Sequence, residues 1–243
     1  MGIDAIEMVG GTYRWDNVSI GVDRTARPLT VRPAADGTVT FAGNGSTTGS
    51  GILNFGATAA AKWITFDGVA PGGFTFDSVS LAQVGVLSIR SSDHLTLRNM
   101  TFRNLVRDTA WAPKAYTSWA AYISTAGGRA NSNLTLDHWT MTAPAVRRGV
   151  SFIQTDSSTA TNTSIHLTNM TVTGADYAFY GGVPATDLVL DNWTIVDCGE
   201  NGSSVRFANG SESGRYSNLH ATTSDRLLNQ SAGMVNGGGV VWR

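Results

Sequence analysis

The side chains best suited to ligand chemistry are concentrated in two segments of the sequence. The first, residues 103–120, brings aromatic rings and cations close together, and its members are Trp111, Lys114, Tyr116 and Trp119. The second contributes the adjacent cations Arg147 and Arg148. Aromatic faces stack on flat rings and guanidinium groups pair with carboxylate or sulfate, so this combination favours a sugar polymer. The alternative is that the rings only pack the longer segment onto the protein body.

Two carboxylates are placed where hydrolytic chemistry is conceivable, because glycoside hydrolysis uses paired Asp or Glu residues at a set separation. Asp156 and Asp176 lie one sequence repeat apart. However, Asp156 follows its predicted strand, and neither Gly-His-Gly nor Arg-x-Lys accompanies the pair. The sequence therefore predicts solvated turn carboxylates at both positions.

Other residue clusters predict structure rather than chemistry. The acidic column Asp67, Asp137 and Asp191 is interrupted by Arg98 and Thr168, so its oxygens do not converge as calcium requires. The histidines fall in or beside one family of strands, which predicts a corner role for His138. We therefore predict no metal and no other cofactor. A threonine column invites an ice-binding interpretation, but its flanking positions are uneven; its members are Thr101, Thr140, Thr171 and Thr194.

The element that must position these residues is a repeat, Φ-x-Φ-x-N-Φ-T-Φ, in which Φ is apolar. Its copies are ITFDGVA (64–70), LTLRNMTF (95–102), LTLDHWTM (134–141), IHLTNMTV (165–172), LVLDNWTI (188–195) and the decayed YSNLHAT (216–222). The asparagine column contains Gly68, Asn99, His138, Asn169, Asn192 and Asn218, spaced by 31, 39, 31, 23 and 26 residues. Leucine-rich and helical repeats keep a constant period, so this variable spacing argues against them.

Each copy contains two short strands that meet at the asparagine. Φ-x-Φ and Φ-Thr-Φ alternate between two faces, as strands do. Asparagine tolerates the left-handed backbone conformation that a sharp corner requires, and Gly68 suits the same corner for the same steric reason. Stacked corners would also let the amide side chains hydrogen-bond along the stack.

A second family of strands lies between these copies: 51–55, 85–90, 120–124, 149–153, 177–180, 204–207 and 226–229. Three short strands per repeat predict an all-β, right-handed parallel β-helix with three parallel sheets and about seven or more coils. Alternate residues such as Leu95, Leu97, Leu188 and Leu190 should fill its narrow core. We predict a single domain over 1–243, with N-terminal coils in 1–50, regular coils in 51–222 and a C-terminal coil or cap in 223–243.

Composition limits the partners of this chain of 243 residues, of which 42% are hydrophobic and 14% charged, with a net charge of −1. Nucleic-acid binding is not expected, because it needs a basic excess.

No apolar run approaches the roughly 20 residues that span a bilayer, and the N-terminus lacks the features of a secretory signal. We expect a homotrimer or partner subunits to cover the end coils, unless the chain is a fragment.

The N-terminal sequence resembles a known group of proteins. GGTY (10–13) followed by PLTVRPAADGTVTFAG (28–43) looks like the opening of pectate-lyase-like β-helix proteins, in particular the alginate and chondroitin lyase group. Together with the coil repeat, the resemblance covers nearly the whole chain at the level of fold. Phage spike-type β-helices share this architecture.

The resemblance implies that a substrate lies along the second strand family, flanked by the long loops. The resulting carbohydrate-binding prediction comprises Arg90, Trp111, Lys114, Tyr116, Trp119, Tyr122, Arg147, Arg148, Tyr180 and Arg206. Lyases of this group use a lysine and an arginine as acid and base, but Lys62 is predicted to face the wrong side. Lys114, which lies in the long loop and not on the strand, is then the lysine that could act with Arg90 as a catalytic pair.

Two functions follow from these observations. The first is a non-catalytic or weakly catalytic β-helix of an extracellular assembly, such as a phage spike or decoration protein, that contacts a polysaccharide or cell-surface glycan. This first hypothesis also predicts a virion or extracellular location for a chain that shows no signal peptide. The alternative is a polysaccharide lyase or glycoside hydrolase that acts on an acidic polysaccharide.

Overall fold

The structure, a computed structural model, consists of strands joined by turns. It describes residues 4–15, 17–35, 37–43, 51–77, 84–105, 118–125, 128–143, 150–155, 160–181, 185–198, 205–207, 213–222 and 228–230. In chain order the strands are β1 (Ala5–Met8), β2 (Gly11–Arg14), β3 (Val18–Ile20), β4 (Leu29–Pro33), β5 (Val39–Ala42), β6 (Leu53–Phe55), β7 (Ala61–Asp67), β8 (Phe74–Asp77), β9 (Val84–Arg90), β10 (Ser92–Arg103), β11 (Ser118–Ser124), β12 (Ser132–Thr142), β13 (Val150–Thr155), β14 (Asn162–Thr173), β15 (Tyr177–Gly181), β16 (Ala185–Val196), β17 (Val205–Phe207), β18 (Ser213–Thr222) and β19 (Leu228–Gln230). No helix in the described ranges is long and apolar enough to cross a membrane.

The strands form stacked coils with three faces. Face 1 is an eight-stranded sheet in the order β3, β6, β9, β11, β13, β15, β17 and β19. Face 2 contains β1, β4, β7 and the first halves of the long strands β10, β12, β14, β16 and β18. Face 3 contains β2, β5, β8 and the second halves of the same long strands, from β10 onward. The pairing is parallel in all three faces, which confirms the predicted parallel β-helix.

Faces 2 and 3 belong to one hydrogen-bonded sheet of eleven strands, because the long strands continue through the corner between them. The corner column contains Asn99, His138, Asn169, Asn192 and Asn218, whose φ angles lie between 52 and 59°. These residues occupy the left-handed region, where asparagine carries a smaller steric penalty than most residues with a Cβ. The bend therefore takes one residue per coil and leaves pairing intact on both sides.

Gly68 occupies the corner column for a different reason from the one that the sequence predicts. The positive φ in that coil falls on the next residue, Val69, at 68°. A Cβ at Gly68 would instead lie 2.2 Å from the backbone oxygen of Asn99. Glycine is needed at this position because the backbone of the following coil approaches so closely.

A second left-handed column marks the start of face 2, and the sequence repeat does not reveal it. Its members are Trp63 (φ 57°), His94 (52°), Asn133 (52°), Ser164 (51°) and Asp187 (56°). The residues on either side of them are Cα partners in neighbouring strands, so the column is in register. This column is here called the second corner. Each coil from β7 to β16 therefore has a left-handed residue at the second corner and another at or directly after the asparagine column.

The asparagine side chains of the corner column, here called the first corner, bond to the coil before them, mostly to carboxylates rather than to amides. The donor and acceptor pairs are Asn99 Nδ2 with Asp67 Oδ1 (2.8 Å), Asn169 Nδ2 with Asp137 Oδ1 (2.7 Å) and Asn218 Nδ2 with Asp191 Oδ1 (2.9 Å). Asn192 donates to the Oδ1 of Asn169 at 2.6 Å, which is the expected amide-to-amide bond. The aspartate column is therefore occupied by hydrogen bonds within the protein.

These bonds keep the aspartates ionised. Burial raises the pKa of Asp137, but hydrogen bonds from Thr168, Asn169 and His138 outweigh it, and the pKa lies below the ordinary value. The same balance lowers the pKa of Asp67, where Arg98 and Asn99 are the main donors. A carboxylate that accepts several bonds is a stronger acid because those bonds stabilise its charged form.

The core between the faces is aliphatic on the strands and aromatic along one line. The predicted inward residues Leu95, Leu97, Leu188 and Leu190 are all at most 2% exposed. Rings of Phe41, Phe76, Phe102 and Trp139 follow one another along the axis at centroid distances of 4.8–5.3 Å. The buried indole nitrogen of Trp139 donates to the Leu97 carbonyl at 2.9 Å, so its polar atom is satisfied.

The left-handed backbone at Asn169 predicts which of two substitutions there is the less stable. Asn169→Ala and Asn169→Gly both remove the bond to Asp137, but alanine also carries the penalty of a Cβ at φ 56°. We expect the alanine variant to be less stable than the glycine variant by about 1 kcal/mol in urea unfolding. Thr171→Ala, an exposed change in the same strand, should shift stability by about 0.5 kcal/mol or less. Equal stability of the two Asn169 variants would contradict a left-handed corner.

Candidate functional site

The side of face 1 that points away from the core carries two rows of side chains in strict register, of which Ser151 and Tyr177 are buried and the other members are partly exposed. The first row contains Trp119, Ser151 and Tyr177, which are Cα partners in β11, β13 and β15. The second row contains Tyr122, Gln154 and Tyr180 in the same three strands. We name these six residues the aromatic cradle. Two aromatic pairs flank one polar pair, and each coil is about 4.8 Å from the next.

A local break in alternation brings both rows to the same side of the sheet. Ala120 and Ala121 are both fully buried, and so are Phe152 and Ile153 in the next coil. Two consecutive inward residues turn the residues on either side of them outward. The four-residue pattern is WAAY, SFIQ and YAFY in the three strands, and this pattern is visible in the sequence. Strict alternation of inward and outward residues does not predict that Gln154 and Tyr177 belong to this surface.

Trp119 belongs to strand β11 and not to the long loop that the sequence suggested. Its ring lies 4.9 Å from that of Tyr122. It also leans over the preceding coil, because a Cβ at Gly85 would lie 2.6 Å from the indole nitrogen. Gly85 therefore provides the space that the Trp119 ring occupies.

The second aromatic pair lies two coils further along the axis. The rings of Tyr177 and Tyr180 are 5.4 Å apart at an interplanar angle of 68°. Tyr177 is only 1% exposed, whereas Tyr180 is partly exposed. The two pairs are separated by two strand spacings, about 10 Å.

The polar pair between the aromatic rings has unsatisfied hydrogen-bonding atoms. Ser151 is fully buried, and within the described part of the chain neither its Oγ nor the Oε1 of Gln154 has a hydrogen-bond partner. Buried polar atoms in folded proteins are nearly always bonded to protein or to water. A water molecule, or a hydroxyl group of a ligand that displaces it, would satisfy both atoms.

Arg90 is a cation of this face whose side chain the structure describes. Its Nε donates to the Oγ of Ser88 at 3.1 Å, and Ser88 is the Cα partner of Tyr122. This bond fixes the guanidinium beside the aromatic cradle and leaves its remaining N–H groups for other acceptors. Arg206 follows Tyr180 in register, with its side chain outside the described part of the structure.

Several predicted site residues lie outside the described residues, and their roles stay predictions. They are Trp111, Lys114, Tyr116, Arg147 and Arg148, together with Asp156. The structure therefore does not test the Lys114–Arg90 pair. Of the predicted binding residues, it brings together Arg90, Trp119, Tyr122 and Tyr180.

Asp176 is not the solvated turn carboxylate that the sequence predicts. It is fully buried directly before Tyr177, and its backbone N–H donates to the Val150 carbonyl at 2.8 Å. Lys62 lies in β7 on face 2, where its Nζ is 3.1 Å from Asp23 Oδ2, so it is remote from face 1. The described residues contain no cluster of three or more His, Cys, Asp or Glu side chains that could hold a metal ion.

The threonine column on face 3 is longer than the sequence alone indicates. Its in-register members are Thr12, Thr40, Thr75, Thr101, Thr140, Thr171 and Thr194. The neighbouring outward row is mixed and includes the ion pair between Arg103 and Asp77 at 2.8 Å. Thr75 is also only 6% exposed. These features do not form the regular, flat double row that an ice-binding face needs.

Comparison with known proteins identifies the architecture and goes no further. No known family profile matches the chain, and no curated protein matches its sequence. Among solved structures, a 1,3-alpha-1,4-beta-D-galactose-4-sulfate-3,6-anhydro-D-galactose-2-sulfate 4 galactohydrolase superposes with a TM-score of 0.59 at 14% identity, over 96% of this chain and 52% of that one. An iota-carrageenase complexed to iota-carrageenan fragments gives 0.51 at 15% identity, over 85% and 49%. This chain thus spans about half the length of each, and the shared fold is the right-handed parallel β-helix.

The fit of Trp119 over Gly85 predicts a specific coupling. Gly85→Ala should force the ring away from the coil, lower stability by about 1–3 kcal/mol and change the near-ultraviolet circular dichroism of the indole. In a Trp119→Ala background the added methyl meets no ring, so Gly85→Ala should cost much less. A double-mutant cycle measures this difference. An equal cost in both backgrounds would contradict the contact.

Proposed function

We propose that this parallel β-helix binds an acidic polysaccharide across the outer surface of face 1. The observation that carries the proposal is the aromatic cradle, in which the unpartnered Ser151 hydroxyl and Gln154 carbonyl lie between two aromatic pairs. Saccharides combine apolar ring faces with outward hydroxyl groups. The cradle likewise alternates aromatic rings with hydrogen-bonding groups.

The register of the coils sets the direction of the ligand. The cradle residues follow one another along the helix axis, so a polymer that contacts all six crosses the strands instead of running beside one of them. The partly exposed Trp119 and Tyr122 contact one ring, and the partly exposed Tyr180 contacts a further ring. Hydroxyl groups of the sugar between them bond to the polar pair where they displace water. The separation of about 10 Å between the aromatic pairs requires more than one sugar unit.

Arg90 indicates that the ligand carries negative charge. Its guanidinium is held by Ser88 one coil before Trp119, and such a group pairs well with carboxylate or sulfate. The predicted cations Lys114, Arg147, Arg148 and Arg206 would extend the same preference. The first similar structure named above acts on a chain of galactose-4-sulfate and 3,6-anhydro-galactose-2-sulfate by its name, which is compatible with an anionic glycan.

Cleavage of that polysaccharide, as a hydrolase or a lyase, is the second candidate function. The observation that favours it is Asp176, a fully buried carboxyl directly before Tyr177 of the cradle. A carboxyl group in such a position is suited to acid or base chemistry when a substrate is bound. The Lys114 and Arg90 pair is the corresponding proposal for a lyase.

The biological setting is a further part of this proposal. We propose that the protein works in an extracellular assembly, such as a phage spike or decoration protein, as a homotrimer or with partner subunits. A partner would cover the apolar side chains of Ile6, Val9, Val22 and Val69, which are 40–63% exposed near the N-terminal coils. Light scattering at a mass three times that of the chain would support the trimer, and a monomer would contradict it.

Ser151→Ala provides the sharpest test of the binding surface. Removing a buried hydroxyl that has no partner should leave the free protein equally or more stable. It should nevertheless weaken binding of acidic tetrasaccharides by up to about tenfold, because one hydrogen bond to the ligand is lost. The probes are oligomers of galacturonate, mannuronate and sulfated galactose, and calorimetry measures the affinity. Tyr180→Ala should also weaken binding.

Thr171→Ala on face 3 is the matched control and should bind as the unmodified protein does. Binding that is unaffected by both Ser151→Ala and Tyr180→Ala would contradict the proposed surface. The same incubations report on cleavage through new reducing ends or unsaturated uronate. Product that forms with the unmodified protein and is lost with Asp176→Asn supports the hydrolase, whereas absence of product with every probe contradicts the second candidate.

A further inference from the structure

Face 2 carries an open groove that is separate from the aromatic cradle. Its volume is about 360 Å³, and it runs along the axis between the second corner and the neighbouring outward row. One wall includes Trp63, His94 and Asn133. The floor includes Thr65, Thr96 and Thr135. All of these residues are described, and the groove crosses successive coils as the cradle does on face 1.

One residue of the wall, Trp63, is poorly suited to the backbone that it adopts. Its φ angle is 57°, and a bulky residue in the left-handed region is uncommon. Histidine and asparagine are enriched there, and they occupy the same column at His94 and Asn133. Local structure would therefore be better served by asparagine at position 63. Strained residues of this kind concentrate at ligand sites, where the surrounding structure maintains them.

Core packing does not account for these two side chains. Both are partly exposed, and the His94 side chain is 39% exposed. Their rings stack with centroids 3.9 Å apart and an interplanar angle of 8°. The His94 Nδ1 is also 2.9 Å from Asp93 Oδ1, which fixes the imidazole orientation. The pair is thus a rigid aromatic surface at the side of an open groove.

The floor supplies hydrogen-bonding groups without internal partners. Thr65, Thr96 and Thr135 are Cα partners in adjacent strands, and within the described residues their hydroxyls make no hydrogen bond. His166 continues the row in the next coil. Its Nε2 is shielded from solvent, has no hydrogen-bond partner and lies 3.6 Å from Asp187 Oδ2, beyond bonding range.

The lining identifies the chemical class of the occupant. Its residues carry no lysine, arginine, aspartate or glutamate, so the groove offers no fixed charge to a phosphate, sulfate or carboxylate group. It offers an aromatic surface beside a line of hydroxyl and imidazole groups. That combination matches a sugar without charged substituents.

We propose that the face 2 groove is a second saccharide site, which takes a short neutral oligosaccharide against the Trp63–His94 pair. The threonine hydroxyls bond to sugar hydroxyls, and the aromatic pair contacts a ring. The site uses no residue of the aromatic cradle and does not depend on the function proposed for face 1.

Substitutions to asparagine separate binding from folding. Trp63→Asn and His94→Asn suit the left-handed backbone, so their melting temperatures should stay within about 4 °C of the unmodified protein. The probes are neutral trisaccharides of glucose, mannose and galactose, titrated by NMR. We expect at least one of them to bind with a Kd below about 1 mM and to bind at least tenfold more weakly to Trp63→Asn. Thr96→Val, which keeps the side-chain shape but removes the hydroxyl, should also weaken binding.

The two faces are distinguished by crossed controls. Ser151→Ala should leave binding of the neutral trisaccharide unchanged, and Trp63→Asn should leave binding of an acidic tetrasaccharide unchanged. The proposal is overturned if no neutral trisaccharide binds, or if binding is equal in the unmodified protein, Trp63→Asn and Thr96→Val. A melting temperature that falls far below this range in Trp63→Asn would assign the ring a structural role and also overturn it.

Discussion

The position of each coil relative to the one before it depends on hydrogen bonds between stacked corners. Residues such as Asn99 and Asn169 turn the chain in the left-handed conformation while their amides bond to Asp67 and Asp137 of the preceding coil. A slip by one residue would break these bonds and turn the inward leucines outward. The ladder thus specifies the register, and aliphatic burial provides most of the driving force.

Both candidate sites are consequences of that register. The aromatic cradle exists because three strands of face 1 repeat the same out-in-in-out pattern and are aligned residue for residue. The face 2 groove follows the second corner, where left-handed residues keep Trp63 and His94 in line. Neither site contains a fold element of its own, since each is an outward row of the scaffold.

Sequence reasoning predicted the fold because the inward rows and the Asn corners use few residue types. Leu95 and Leu97 alternate as any half-buried strand does, and asparagine is one of few residues that suits a left-handed bend. The second corner could not be predicted this way, because Trp63, Asn133 and Asp187 share no chemical type. Similarly, the burial of Asp176 and the unpartnered state of Ser151 depend on neighbouring coils that are distant in sequence.

The hydrogen bonds from first-corner asparagines to carboxylates all run in one direction, from a donor in a later coil to an acceptor in an earlier coil. The amides of Asn99, Asn169 and Asn218 each donate to an aspartate that was synthesised earlier, and the indole of Trp139 does the same to the Leu97 carbonyl. A coil emerging from the ribosome therefore finds its acceptors already in place. At this corner, growth in the direction of translation lets each finished coil act as the template for its successor.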